Sequence, residues 1–238
     1  MATDSTTQSP LAVTQPCIDV VITNHNYNRF VPGAVESALK QHNVQTRIVI
    51  VDDGSDEPLR GFESEERVQI IRREAAGGVG VALNLGLDAG SAPLVTFLDA
   101  DDLWPLDRCR QLHDAISGAD LAYGAQVVFA DGDQPDLDPS PEQRAAMRAT
   151  PAALLSGTVL LRRTLFDRYG PFPEQMSKAP FIFWMAAARA AVPAIREVAL
   201  DRPVLLRRSH TSNMTRNNSQ LADYFQVLAQ RRRENGGH

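Results

Sequence analysis

Apolar runs of strand length alternate with helically spaced apolar residues through the first half of the chain. IDVVIT (Ile18 to Thr23), TRIVIVDD (Thr46 to Asp53), RVQIIR (Arg67 to Arg72) and PLVTFLD (Pro93 to Asp99) carry little polar alternation. Such runs predict strands covered on both faces. Between them, FVPGAVESALKQ places Phe30, Val31, Ala34, Val35, Ala38 and Leu39 at helical spacing. GVGVALNLGLDAG predicts a second helix, closed by Gly90 as a C-cap. Pro105 suits the first turn of a third, PLDRCRQLHDAIS. Strands alternate with helices to roughly residue 118, which predicts an α/β fold with a mostly parallel central sheet flanked by helices.

The pattern is less regular afterwards. DLAYGAQVVFAD and SGTVLLRR predict strands, TLFDRYG a short helix, and DGDQPDLDPSPEQ a Pro/Asp-rich surface loop. KAPFIFWMAAARAA is apolar nearly all round, which predicts a buried helix. RPVLLRRSH predicts a strand ending in cations, and SQLADYFQVLAQRRREN a C-terminal helix. The expected organisation is a disordered arm over 1–16, an α/β half over 17–130 and a second half over 131–238, all in one continuous domain.

Composition narrows the class. The 238 residues are 43% hydrophobic and 22% charged, ordinary for a globule with a full core. A net charge of -5 argues against a nucleic-acid binder. No run reaches the roughly 18 apolar residues of a membrane span. The first residues lack the basic and apolar regions of a secretory signal. Cys17 and Cys109 lack metal-ligand spacing and are expected to be reduced thiols in a cytoplasmic protein. Arg231, Arg232 and Arg233 leave peripheral contact with an anionic membrane open, though three charges are few for anchoring.

The candidate chemistry lies where strands end. In open parallel sheets, ligands bind beyond the carboxyl ends of strands. Those ends read Thr23-Asn24-His25-Asn26, Asp52-Asp53-Gly54-Ser55, Asp99-Ala100-Asp101-Asp102 and Arg207-Arg208-Ser209-His210. Asp99 and Asp101 alternate, so they point the same way and repel unless something positive sits between them. Carboxylates for a cation beside Arg and His for an anion suit a nucleotide diphosphate held through Mg2+ or Mn2+. The sequence has no P-loop, no G-x-S-x-G elbow and only a weak match to the dinucleotide fingerprint, since Leu83 stands where the third glycine belongs.

Taken in order, VVITNHNYNRFVPGAVESALKQ, IVIVDDGSDE and GGVGVALNLGLDAGSAPLVTFLDADDLWPLDRC resemble the family 2 glycosyltransferases of the GT-A fold, from about Ile18 to Leu112. The resemblance implies transfer of a sugar, with inversion, from a nucleotide-diphosphate donor (UDP-sugar foremost) to an acceptor hydroxyl on a glycan, a lipid-linked molecule or a small molecule. It further implies donor contacts from Thr23 and Asn24, a uracil contact from Asp52 with Asp53 shaping its loop, a D-x-D pair with Asp99 toward the donor and Asp101 on the metal, and His210 near the diphosphate. The family's catalytic Glu-Asp pair falls at Ala179 and Pro180 here, neither of which takes a proton. Glu174 is the nearest candidate base. The alternative implied by this gap is a protein that keeps the fold and binds nucleotide sugars or a partner without turnover.

Overall fold

The computed structural model describes residues 15–176 and 179–211. Seven strands form one sheet: β1 (Cys17–Asn24), β2 (Gln45–Asp53), β3 (Val68–Arg73), β4 (Leu94–Asp99), β5 (Leu121–Ala130), β6 (Val159–Arg162) and β7 (Glu197–Ser209). Their spatial order is β3-β2-β1-β4-β6-β5-β7. All pairings are parallel except those of β6, which runs antiparallel to both β4 and β5. Strands from both sides of residue 131 therefore share one sheet.

The helices are α1 (Val31–Leu39), α2 (Val79–Ala89), α3 (Arg108–Ala115), α4 (Pro141–Ala146), α5 (Thr164–Tyr169) and α6 (Pro180–Ala190). The apolar runs are buried on both faces, as their lack of alternation predicts. Ile18, Val20, Ile22, Ile48 and Ile50 face α1 and α3 through Val31, Ala34, Val35, Cys109 and Leu112. Val21, Val95 and Phe97 face Leu83 and Leu87 of α2 and Phe181, Trp184 and Met185 of α6. Each such side chain contributes roughly 1.5–3 kcal/mol by leaving water.

Several details depart from the expected elements. α3 begins at Arg108 rather than Pro105, whose carbonyl instead accepts from Arg108 N at 3.1 Å and Gln41 Nε2 at 2.9 Å. Gly90 closes α2 in an extended conformation (φ −93°), not a left-handed one. Its place is kept by proximity: a Cβ there would lie 2.4 Å from Asp19 Oδ2, inside the Asp19–Arg163 ion pair. Helix α6 buries one face only, since Ile182, Ala186 and Ala187 are exposed. The Pro/Asp-rich loop runs into α4, whose start is a capping box between Ser140 and Gln143. Cys17 and Cys109 are free. Among the described residues no helix is long and apolar enough to cross a membrane. Most of the expected arm, and the expected C-terminal helix with Arg231 to Arg233, lie outside the described residues.

Candidate active site

A cavity of about 620 Å3 opens beyond the carboxyl ends of β1, β2, β4 and β7, against the first turn of α2. Thr23, Asn24, Asp53, Asp99, Asp101 and Arg207 all line it. The topology explains the gathering. β1 lies between β2 and β4 in parallel register, with Asn24 opposite Asp52 and Thr23 opposite Asp99, so polar strand ends emerge on one edge.

The loops after β1 and β2 are tied together. Asn24 Nδ2 donates to Asn28 Oδ1 at 2.7 Å, and more weakly to Asp52 Oδ1 and Ser55 Oγ, both at 3.3 Å. Asn26, in a left-handed conformation (φ 61°) that asparagine tolerates, donates its amide to Ser55 Oγ at 2.9 Å. His25 Nδ1 meets the Asp53 carbonyl at 2.8 Å. Since a carbonyl only accepts, Nδ1 carries the hydrogen. Gly54 has φ +69°, and a Cβ there would meet Ala76 N at 2.5 Å, so the DDGS turn needs its glycine twice over.

The two acids of that turn have different surroundings. Asp52 is fully buried and is not among the cavity-lining residues. Its carboxylate accepts from Arg72 Nη1 at 2.5 Å and from the amides of Ser55 and Leu59 at 3.3 Å. Burial alone would raise its pKa, but the bonds from Ser55, Leu59 and Arg72 outweigh that and hold it below the usual carboxylate range. Asp53 lies on the cavity wall, bonded to Arg73 Nη1 at 2.5 Å and to the amides of Gly77 and Gly78 at 2.9 and 2.8 Å.

The acids after β4 divide similarly. Asp99 keeps solvent contact through the cavity mouth although protein surrounds it, and burial, then the charge of Asp101, raises its pKa to about 6 against the pull of Arg207. Asp101 Oδ2 meets His210 Nε2 at 2.8 Å. The His210 ring lies 5.5 Å from that of Tyr27 and 5.0 Å from that of Phe30. Asp102 is buried, accepts the Arg208 amide at 2.9 Å and so ties the end of β4 to β7. Burial, then Asp99 and Asp101, push its pKa well above the carboxylate range. Tyr27 is raised too, first by burial and then by Asp101 and Asp99, against Arg29.

This crowding has a measurable sign. Asp99 titrates near 6 in the folded chain and at about 4 when unfolded. Its contribution to stability is thus full below about pH 4 and is lost as pH rises through 6. Asp99→Asn should raise the melting temperature of the cation-free protein by about 2–4 °C at neutral pH. That gain should fade by about pH 5. Melts in chelator across that range check it, and a gain that does not change with pH would refute the charge-crowding account.

Glu174 is not brought to the cavity. It is exposed, and its Oε1 accepts from Asn84 Nδ2 at 3.1 Å. Its loop packs on α2 at Gly80 and Asn84, whereas α2 lines the cavity through Val79 and Ala82. At about 100° per residue these pairs lie on nearly opposite sides of the helix. Among the described residues no three His, Cys, Asp or Glu side chains converge to hold a cation unaided. The oxygen donors of Asp99 and Asp101 fit Mg2+ or Mn2+, which is commonly bound by one or two carboxylates with phosphate and water completing the shell. Sequence reasoning missed Arg73 and the Tyr27–Phe30 pair. The only signal for the aromatics was their place just after a strand end, in HNYNRF.

Comparison with known proteins agrees with this geometry. The fold is that of the GT-A glycosyltransferases. It is similar to S. aureus TarS 1–349 in complex with UDP-GlcNAc, with a TM-score of 0.65 at 18% identity, covering 84% of this chain and 60% of that one. It is also similar to the mannosyltransferase PcManGT from Pyrobaculum calidifontis in complex with GDP-Man and Mn2+, with a TM-score of 0.63 at 15% identity, covering 84% and 59%. Residues 19–170 match glycosyl transferase family 2, and the chain belongs to that family. A curated relative, the uncharacterised glycosyltransferase alr2836 of Nostoc sp., is 31% identical over 132 residues, which is 53% of this chain and 41% of the relative. The chain spans half or less of the length of this and similar curated relatives.

Proposed function

We propose that the chain is a glycosyltransferase that takes a sugar from a nucleotide-diphosphate donor, UDP-sugar foremost, and passes it with inversion to an acceptor hydroxyl. The observation that carries this reading is the convergence of Asp53, Asp99 and Asp101 with Thr23 and Arg207 on one cavity. Asp53 is placed to read the base, since it lies on the wall where Asp52 does not. Asp99 and Asp101 would hold Mn2+ or Mg2+, with His210 orienting Asp101 from behind. Bound there, the cation would offset the charge of the departing diphosphate. Arg207 adds a fixed positive charge on the same wall. A bond forms from the acceptor oxygen to the anomeric carbon as the bond to the diphosphate breaks, and the acceptor proton needs a base.

One observation favours the second reading, donor binding without turnover. α6 starts at Ala179–Pro180, which carry no acid, and Glu174 lies on the far side of α2. Calorimetry with UDP, with and without Mn2+, tests the shared part of both readings, and cation-dependent binding is expected. A panel of nucleotide sugars then separates them. Release of UDP or GDP with sugar transfer supports the enzyme, and tight binding with no release supports the binder. Metal-independent binding, or none, would refute the site.

A further inference from the structure

Consecutive residues at the ends of β2 and β3 form consecutive ion pairs. The register sets Asp52 opposite Arg72 and Asp53 opposite Arg73. Both pairs measure 2.5 Å, yet only Asp53 reaches the cavity. A carboxylate has about four acceptor positions. Arg73 and Gly77 occupy those of Asp53 Oδ1, and Gly78 takes one of Oδ2 at 2.8 Å, with Gly77 sharing weakly at 3.1 Å. This fixes the rotamer and leaves acceptor capacity on Oδ2, the oxygen that Arg73 does not engage. Gly77 makes room for the arrangement: a Cβ there would lie 1.8 Å from Arg73 Nη1, while its backbone φ is outside the left-handed region.

We propose that Arg73 is a positioning residue for nucleobase selection, holding Asp53 so that its Oδ2 accepts from a base with a ring N–H and rejects one without. This rests on reading the cavity as a donor site. Uracil and guanine carry such an N–H, whereas cytosine presents a bare ring nitrogen at the corresponding place and would set acceptor against acceptor. Arg73 itself keeps 28% side-chain exposure, so its removal leaves no unpaired charge in the core. Gly77→Ala offers an independent route to the same defect. The added methyl meets the movable end of Arg73 rather than backbone, and so displaces the guanidinium from Asp53 with Arg73 still present.

Calorimetry of UDP, GDP and CDP in saturating Mn2+ tests the proposal on the full chain, Arg73→Gln, Gly77→Ala and the surface control Arg67→Gln. The wild type should bind its better oxo-base nucleotide roughly ten- to hundredfold more tightly than CDP, the range of one charged hydrogen bond. Arg73→Gln and Gly77→Ala should each erase most of that ratio by weakening UDP or GDP, with CDP and the half-saturating Mn2+ concentration unmoved. Arg67→Gln should match the wild type. If the wild type discriminates and both variants discriminate equally well, the proposal falls alone. A uniform loss across the three nucleotides, with a lowered melting temperature, also overturns it, because that is what a purely structural role would produce. Should the wild type bind none of the three, the donor-site reading falls and this proposal with it.

Discussion

Asp101→Asn should cut sugar transfer by about a thousandfold and abolish the Mn2+ dependence of UDP binding, with the melting temperature within about 2 °C of wild type. The size follows from what the side chain would do. A cation that offsets charge on a departing diphosphate supplies several kcal/mol to the transition state, and about 4 kcal/mol corresponds to a thousandfold. An amide of the same shape keeps an oxygen for His210 Nε2 but brings no charge to the cation. The fold should not notice, because the anchoring acid of this group is Asp102, which receives the Arg208 amide at 2.9 Å. Asp102→Asn is the matching control. The site already pushes that carboxyl toward its neutral form, so a neutral isostere should keep most of the activity. Initial rates against Mn2+ concentration, with a melt for each variant, read both. Equal Mn2+ dependence in Asp101→Asn and wild type would remove Asp101 from the metal site.

The parts of this site that were legible in the sequence are those set by local pattern. Unbroken apolar runs identified β1, β2 and β4, because strands covered on both faces cannot alternate. Acids placed just past them are expensive without a ligand, so the cluster at Asp99 and Asp101 pointed to the cavity. The choice between Asp52 and Asp53 was half legible. Alternation puts Asp52 on the side of Ile48 and Ile50, which face α1, and Asp53 on the side of Val49 and Val51, which pack on Ala82 of α2. Knowing which side held the cavity required the placement of α2. The direction of β6 was not legible, since VLLR suits either orientation and only pairing with β4 and β5 decides it. Helix α6 reads as buried all round because alanine is apolar, but Ala186 and Ala187 have too little surface to demand cover. Arg108 gave no signal at all. An arginine in PLDRCRQL reads as a solvated helix position, yet it is fully buried in the core.

Arg108→Met should therefore destabilise the protein by about 3–5 kcal/mol, lowering its melting temperature by on the order of 10 °C. The guanidinium donates to the carbonyls of Val204, Gly157 and Val159 at 3.0, 3.1 and 3.0 Å and to Thr96 Oγ1 at 2.9 Å. It also stacks 3.8 Å from the centre of the Trp104 ring. One side chain thus joins β4, the entry to β6, and β7 where their spacing leaves carbonyls without strand partners. Methionine fills the volume but orphans those acceptors, and each buried acceptor left unsatisfied costs about 1–3 kcal/mol before neighbours relax. Arg108→Lys should recover only a fraction, because a point ammonium on a flexible stem cannot reproduce a planar fork spread over three strands. The consequence reaches the site through strand ends: Thr96 lies on the strand that presents Asp99 and Asp101, and Val204 on the strand that leads to His210. A variant still folded at low temperature should accordingly show a weakened response to Mn2+ as well as a lowered denaturation midpoint. Urea titration and thermal melts measure the stability loss. A change below about 1 kcal/mol would mean that the three carbonyls find other donors, and that the sheet is held at this junction by packing alone.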